Sequence, residues 1–390
     1  MVRHAPEVRT GGREMIPITR PCVGEEEAKA AGDAILSGWL SQGPRVQEFE
    51  EAVADYVGAR HAIATSNCTT ALHLSLLAAG IGPGDEVICP SFSFIATANS
   101  ILHAGATPVF VDIDRASYTI DTNLIEPAIS SRTKAIMPVD QIGLAADIPS
   151  VRSIASHHGL TVIEDAAPSL GATIGEGRIG ALSDYTCFSF HPRKSITTGE
   201  GGLVTTDDDA AAARIRVLRS HGASTSDLER HRSGTTAIEQ YEELGFNYRM
   251  TDIQAAVGIV QLGRLDGILS ARRVLAERYN RLLGGNAFVE TPVVPAGRTH
   301  TYQSYCVRLR DGSAPRAAIM EELATKNIAT RRGVMAIHRE PFYQRLMPGL
   351  SLPETERAAE ETLLLPLYAG MTFDEQDFVI ESLAAAIRPS

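Results

Sequence analysis

From Glu25 onward the chain alternates short apolar runs with longer amphipathic ones, and this alternation restricts the fold more than any other feature. Apolar residues returning every three or four positions predict helices over Glu25–Leu36, Gln47–Val57, Thr69–Ala79, Phe94–His103, Leu124–Ile129 and Pro149–His157. Between them, short β-branched and apolar runs predict strands at His61–Thr65, Glu86–Cys89, Pro108–Val111, Lys134–Met137 and Thr161–Ile163. Such strands, separated by helices, build a mostly parallel sheet covered on both faces, an α/β architecture. Two further strands, Tyr185–Phe190 and Gly202–Thr205, follow more closely together.

The stretch from Met250 to Leu283 is helical, as one helix or two in succession, and leads out of this body. Beyond it a strand at Ser304–Leu309 and helices at Ala317–Lys326 and Asp374–Ile387 predict a smaller α/β unit. The expected division is a disordered tail over 1–14, a large domain with its N-terminal segment over 15–250, a linking helical stretch over 251–284 and a small C-terminal domain over 285–390.

A net charge of −11 leaves no basic excess for a nucleic-acid surface. A local pocket of arginines and helix N-termini can still hold phosphates on an acidic protein. No apolar run reaches the roughly 20 residues that cross a bilayer, and the polar N-terminus lacks the apolar centre of a secretory signal. The five cysteines, Cys22, Cys68, Cys89, Cys187 and Cys306, are scattered without a C-x-x-C pair. They read as reduced thiols in the cytoplasm, and no metal-ligand spacing stands out.

The chemistry concentrates in two places. The apolar strand Leu160–Glu164 ends in Asp165-Ala166-Ala167, and further on comes Phe188-Ser189-Phe190-His191-Pro192-Arg193-Lys194, then the turn Thr197-Thr198-Gly199-Glu200-Gly201-Gly202. A carboxylate closing a strand, a serine and an enclosed lysine are the parts a pyridoxal 5'-phosphate (PLP) enzyme needs. The lysine amine forms a Schiff base, the carboxylate pairs with the protonated pyridine nitrogen, and the hydroxyl holds a phosphate oxygen. Most lysines lie on the surface, but burial and a neighbouring cation lower an amine's pKa and make it a usable nucleophile and proton carrier.

Here the chain resembles the DegT-type sugar aminotransferases, PLP enzymes that place an amino group on a keto sugar. The resemblance runs from about Met15 to the C-terminus. It is carried by Ser37-Gly38-Trp39-Leu40, Ile81 to Val87, Glu164 to Ala167, Phe188 to Gly202 and Asn247-Tyr248-Arg249-Met250-Thr251-Asp252. It implies a fold type I PLP-dependent transferase, with a mostly parallel seven-stranded sheet in the large domain and a smaller C-terminal α/β domain. Lys194 is then the catalytic lysine and Asp165 the pyridinium partner. The strand–helix junction Ser66-Asn67-Cys68-Thr69-Thr70 is the phosphate cradle, with Cys68 and Thr69 where the family often has Gly-Thr, and Ser189 adds its hydroxyl. Phe94 matches an aromatic that stacks on the cofactor ring, with a core phenylalanine as the rival reading. Asn247 matches a residue reaching the phosphate from a neighbouring subunit, which implies a homodimer with shared sites. Arg249 stands at the same border.

Two positions depart from the pattern. Pro168 stands where many members carry Gln or His, and Asp140 where His often begins its motif. His338 is expected either at the active site or on a surface loop. Gly175 to Gly180 fits G-x-G-x-x-G, but no helix follows it, so it reads as a hairpin turn rather than a dinucleotide site. The implied reaction takes glutamate or glutamine as donor and a keto sugar, nucleotide-linked, as acceptor. The competing readings are a PLP-dependent sugar dehydratase, in which histidine replaces the Schiff-base lysine, and a PLP-binding regulator without turnover.

Overall fold

The computed structural model describes residues 14–224, 240–241 and 243–388. Of the expected N-terminal tail, 1–13 lie outside these. The chain order of the first body is α1 (Glu25–Leu36), α2 (Pro44–Val57), β1 (His61–Thr65), α3 (Cys68–Ala78), β2 (Glu86–Pro90), α4 (Ala96–His103), β3 (Thr107–Val111), β4 (Thr133–Ile136), α5 (Ile148–His158) and β5 (Thr161–Asp165). A hairpin of β6 (Thr173–Ile174) and β7 (Gly177–Arg178) follows, then β8 (Tyr185–Ser189), β9 (Gly202–Thr206) and α6 (Asp209–Arg219). Seven of these strands form one sheet in the order β1-β9-β8-β5-β4-β2-β3. Only β9 runs antiparallel to its neighbours; the pairs β3–β2, β2–β4, β4–β5 and β5–β8 are parallel. Adjacent residues of β8 serve the two faces: Cys187 packs with α3 and α6, whereas Phe188 packs with α2 and the long helix described next.

That helix, α7 (Asp252–Leu283), is continuous over 32 residues. It is started by a reciprocal cap, Thr251 Oγ1 accepting from Gln254 N at 3.2 Å and Gln254 Oε1 accepting from Thr251 N at 3.0 Å. Asp252 also accepts from the backbone N–H groups of Gly43 (2.7 Å) and Val46 (3.0 Å), tying the start of α7 to the start of α2. Leu265, Ile268 and Leu269 lie in the core beneath the large sheet, while Leu275, Ala276, Tyr279 and Leu283 lie in a second core. Each such buried side chain contributes about 1.5–3 kcal/mol, so one helix stabilises both bodies.

The second body has a four-stranded antiparallel sheet of β10 (Val289–Glu290), β11 (Tyr305–Leu309), β12 (Arg331–Arg332) and β13 (Thr362–Leu365), in the order β10-β11-β13-β12. Helices α8 (Arg316–Thr325), α9 (Pro341–Leu346), α10 (Pro353–Glu361) and α11 (Phe373–Ala386) accompany it. Ile16, grouped by sequence with the large domain, packs in this second core instead. Its backbone pairs with Ile328, its N–H donating to Asn327 O at 2.9 Å and its carbonyl accepting from Ala329 N at 3.0 Å.

The predicted helix at Leu124–Ile129 is two short 3-10 turns, Thr122–Leu124 and Glu126–Ala128. Pro127 has no N–H to continue an α-helix and biases the residue before it away from one. The G-x-G-x-x-G segment is the β6–β7 hairpin, as its context required.

Candidate active site

Ligands in open α/β sheets gather at the carboxyl ends of the parallel strands, and the predicted residues meet there. Asp165 closes β5, buried, opposite Cys187 of β8. Its Oδ2 accepts a 2.6 Å hydrogen bond from Thr97 Oγ1 on α4, and its Oδ1 accepts from Ala167 N at 3.3 Å. Thr97 is itself bonded to Ser93 Oγ at 2.7 Å. Burial pushes the Asp165 carboxyl above its usual range, while the Thr97 bond and the charge of Lys194 pull the other way. For Lys194 burial pushes the ammonium down, opposed by the Cys68 thiol and by Asp165. Asp165, Lys194 and Cys68 thus lie within electrostatic reach of one another, although they are far apart in sequence.

The loop carrying Lys194 is tightly held. Lys194 N donates to His191 O at 2.8 Å, Thr197 Oγ1 to Phe190 O at 2.8 Å, and Phe190 N to Gly201 O at 2.9 Å. Beneath it Phe188 and Phe190 are fully buried, Phe190 edge-on to Phe49 at 5.2 Å. From the second body, Gln303 Nε2 donates to Arg193 O at 2.6 Å. The lysine is therefore presented by a rigid turn and not by a mobile loop tip.

The junction of β1 and α3, where the phosphate cradle is expected, is a capped helix start. Asn67 caps α3 by accepting from Thr70 N at 3.0 Å, which leaves the N–H groups of Cys68 and Thr69 to an external acceptor. Gly202 sits against this turn: a Cβ there would lie 2.3 Å from Asn67 C and O and 2.6 Å from Cys68 N. Ser189 is the register partner of Gly202, so its hydroxyl adjoins the same turn. Helix N-terminal N–H groups, a hydroxyl, a neighbouring lysine and a buried carboxylate are the donor set that fits PLP.

The remaining predictions divide. Phe92 is fully buried but Phe94 is 64% exposed, so the core reading of Phe94 fails; it stands open beside Ser93 and Thr97. Asn247 is exposed and bridged to Ser220, and among the described residues no hydrogen bond draws it to the Asp165–Lys194 group. His338 is not on a surface loop. It is buried, its Nδ1 2.8 Å from Ser91 Oγ and its Nε2 3.1 Å from Glu356 Oε1. Asp140 is turned into the protein, accepting from Ala146 N at 2.8 Å and Ser169 Oγ at 2.5 Å, and Pro168 is buried beside it. Thr97 was missed by sequence reading. Its signal was a hydroxyl four residues after Ser93 at a strand–helix junction.

No helix among the described residues is long and apolar enough to cross a membrane. Among them, no group of His, Cys, Asp and Glu is placed to hold a metal ion.

Comparison with known proteins agrees with this fold. The chain is 39% identical over 378 residues to the spore coat polysaccharide biosynthesis protein SpsC of Bacillus subtilis (strain 168), covering 96% of this chain and 97% of that one. Its fold matches Helicobacter pylori PseC, an aminotransferase involved in the biosynthesis of pseudoaminic acid, with TM-score 0.89 and 28% identity over 96% of this chain and 99% of the other. It also matches NtdA from Bacillus subtilis, solved with bound cofactor PMP, with TM-score 0.83 and 32% identity over 93% of this chain and 82% of the other. The sequence pattern of the DegT/DnrJ/EryC1/StrS aminotransferase family spans residues 21–384. With the fold and the cradle already in place, the chain belongs to that family and is a PLP-dependent sugar aminotransferase.

Proposed function

We propose that this chain moves an amino group from glutamate or glutamine to C3 or C4 of a keto hexose carried on a nucleoside diphosphate, in the cytoplasm. The observation that carries this reading is the convergence of Lys194, whose ammonium burial pushes down, with the buried Asp165 carboxylate and the start of α3, so that one amine can take up and return a proton beside the cofactor's site. Bound PLP would supply the electron sink. Asp165 would hold the pyridine nitrogen, Cys68, Thr69 and Ser189 the phosphate, and Phe94 one face of the ring. A sugar dehydratase would need histidine at position 194, and a regulator without turnover has no use for an amine so poised.

A phosphate-bearing acceptor is supported by Arg193 and Arg331. Burial first, and then the charge of Arg331 on β12, depress the pKa of Arg193. Among the described residues neither guanidinium is paired with a carboxylate. Arg193 adjoins Lys194 and Arg331 lies within electrostatic reach of Arg193, and two such groups suit a diphosphate, which takes bidentate bonds from guanidinium forks. The relative SpsC, by its name, acts in making a surface polysaccharide, and an amino sugar for such a polymer is the product class we assign here. A homodimer with shared sites is supported by the exposed Asn247 and by the apolar side chains Ile35, Leu36 and Leu40, all more than half exposed near the end of α1.

The test is a half-reaction. Purified protein is converted to its pyridoxamine form with glutamate, freed of donor, and given nucleotide-linked 3-keto and 4-keto sugars. Return of the visible cofactor absorbance with one of them confirms the reading, and Lys194→Ala should abolish it. Conversion by glutamate without recovery on any sugar would reject the acceptor class. No conversion by glutamate or glutamine would reject the donor.

A further inference from the structure

Two more carboxyl groups are buried behind Asp165. Asp140, between β4 and α5, and Glu164, on β5, are both 0% exposed and lie within hydrogen-bonding reach of each other. Asp140 Oδ1 accepts from Ala146 N at 2.8 Å and its Oδ2 from Ser169 Oγ at 2.5 Å. Glu164 Oε2 accepts from Ser183 Oγ at 2.8 Å and Thr186 Oγ1 at 3.0 Å. Glu164 Oε1 is buried, and no donor among the described residues reaches it. The titratable groups around the pair are also acidic: Asp165 on the same strand and the Cys187 thiol on β8. Two fully charged carboxylates in contact here would lack both a cation and a donor for that oxygen, and an unmet buried acceptor is destabilising.

We propose that Asp140 and Glu164 share a proton at neutral pH, which supplies the bond missing at Glu164 Oε1 and makes the pair a positioning device for Asp165. The mechanical link is short. Asp140 N donates to Asp165 O at 3.0 Å, and Asp165 N to Pro138 O at 2.9 Å, so the backbone that carries the Asp140 carboxyl is joined directly to the backbone of Asp165 at the end of β5. The shared proton also limits the negative charge behind Asp165. That clause rests on Asp165 being the partner of the cofactor's pyridine nitrogen, whereas the shared proton itself does not.

Burial and then the Glu164 charge push Asp140 well above its usual 3.8; burial is also the largest cause pushing Glu164 up from 4.5 to about 7. The native chain thus holds protons that the unfolded chain has released. This stabilisation is complete at pH below about 4 and is lost as pH rises to about 7 and beyond.

Infrared spectra of the cofactor-free protein at neutral pH should show a protonated-carboxyl band that Asp140→Asn and Glu164→Gln each remove. Between those limits the unfolding equilibrium of the unmodified chain should shift against the native state by about tenfold per pH unit for each proton retained, and Asp140→Asn should flatten that slope. Absence of the band, or equal slopes in the unmodified chain and both variants, overturns the shared proton. Glu164→Gln serves if Asp140→Asn does not fold. In the PLP-loaded protein, visible spectra of the unmodified chain and Asp140→Asn should coincide at neutral pH and separate at alkaline pH. Coincidence throughout overturns the charge-limiting role alone. Failure of PLP to bind would count against the site assignment, with the cofactor-free measurements still deciding the pair.

Discussion

Thr97 Oγ1 donates a 2.6 Å hydrogen bond to Oδ2 of Asp165, so the first turn of α4 reaches across to the end of β5 and helps keep that carboxylate charged against the effect of burial. Thr97→Val removes a hydrogen bond to a charged group, worth about 1.5–3 kcal/mol, and should weaken PLP binding roughly ten- to hundred-fold. Thr97→Ser should recover most of the loss. Titration of the cofactor-free protein followed by visible absorbance measures both, and an unchanged affinity would remove Thr97 from the site.

Gly202 is small because the Asn67–Cys68 backbone occupies the space a side chain would need. Gly202→Ala must push the cradle away from β9. The expected cost is about 1–3 kcal/mol of stability, with weaker binding of the phosphate. Gly263, within α7, has nothing within 4 Å of its Cβ position. Gly263→Ala should therefore be neutral or stabilising by about 0.5–1 kcal/mol. Thermal unfolding of the two variants side by side tests the contrast.

Burial holds the His300 imidazole down at about 3. The ring stacks on Tyr302 at 4.1 Å, and its Nδ1 accepts from Tyr302 N at 2.8 Å. The unfolded chain binds a proton that the native chain refuses, so this contribution is complete above the ordinary pKa of about 6.5. It is lost as pH falls toward 3, by about tenfold in the unfolding equilibrium per pH unit. His300→Phe keeps a ring against Tyr302 and should flatten this acid limb in denaturant titrations at several pH values. An unaltered limb would assign acid sensitivity elsewhere.

Arg331→Glu should raise the KM for a nucleotide-linked acceptor about ten- to hundred-fold and leave the donor half-reaction within about twofold. Stopped-flow measurement of the two half-reactions separates these effects. Equal damage to both would mean that Arg331 serves the donor or the fold instead of a diphosphate.

Much of the candidate site was legible because its chemistry is local in sequence. Lys194 and Ser189 share one short segment, Asp165 ends a recognisable strand, and Cys68 and Thr69 open a helix after another. Thr97 was not legible, since a threonine near a helix start is ordinarily a cap and only the fold sets it against Asp165. The buried partners of His338 and Asp140 were not legible for a related reason. Short motifs show which residues are polar but not which buried partner they meet, and Ser91, Glu356 and Glu164 come from other elements.

The sequence by itself determined the α/β alternation, the parallel character of most of the sheet and which residues make up the candidate site, because apolar periodicity and turn chemistry act over a few residues. The tertiary structure alone decided that β9 runs antiparallel, that Ile16 joins the second core, that α7 is unbroken across two cores and that Phe94 stands open while Phe92 is buried. Those outcomes depend on which distant surfaces bury one another. Burial is a property of the packed chain, with no local signature in the residues that undergo it.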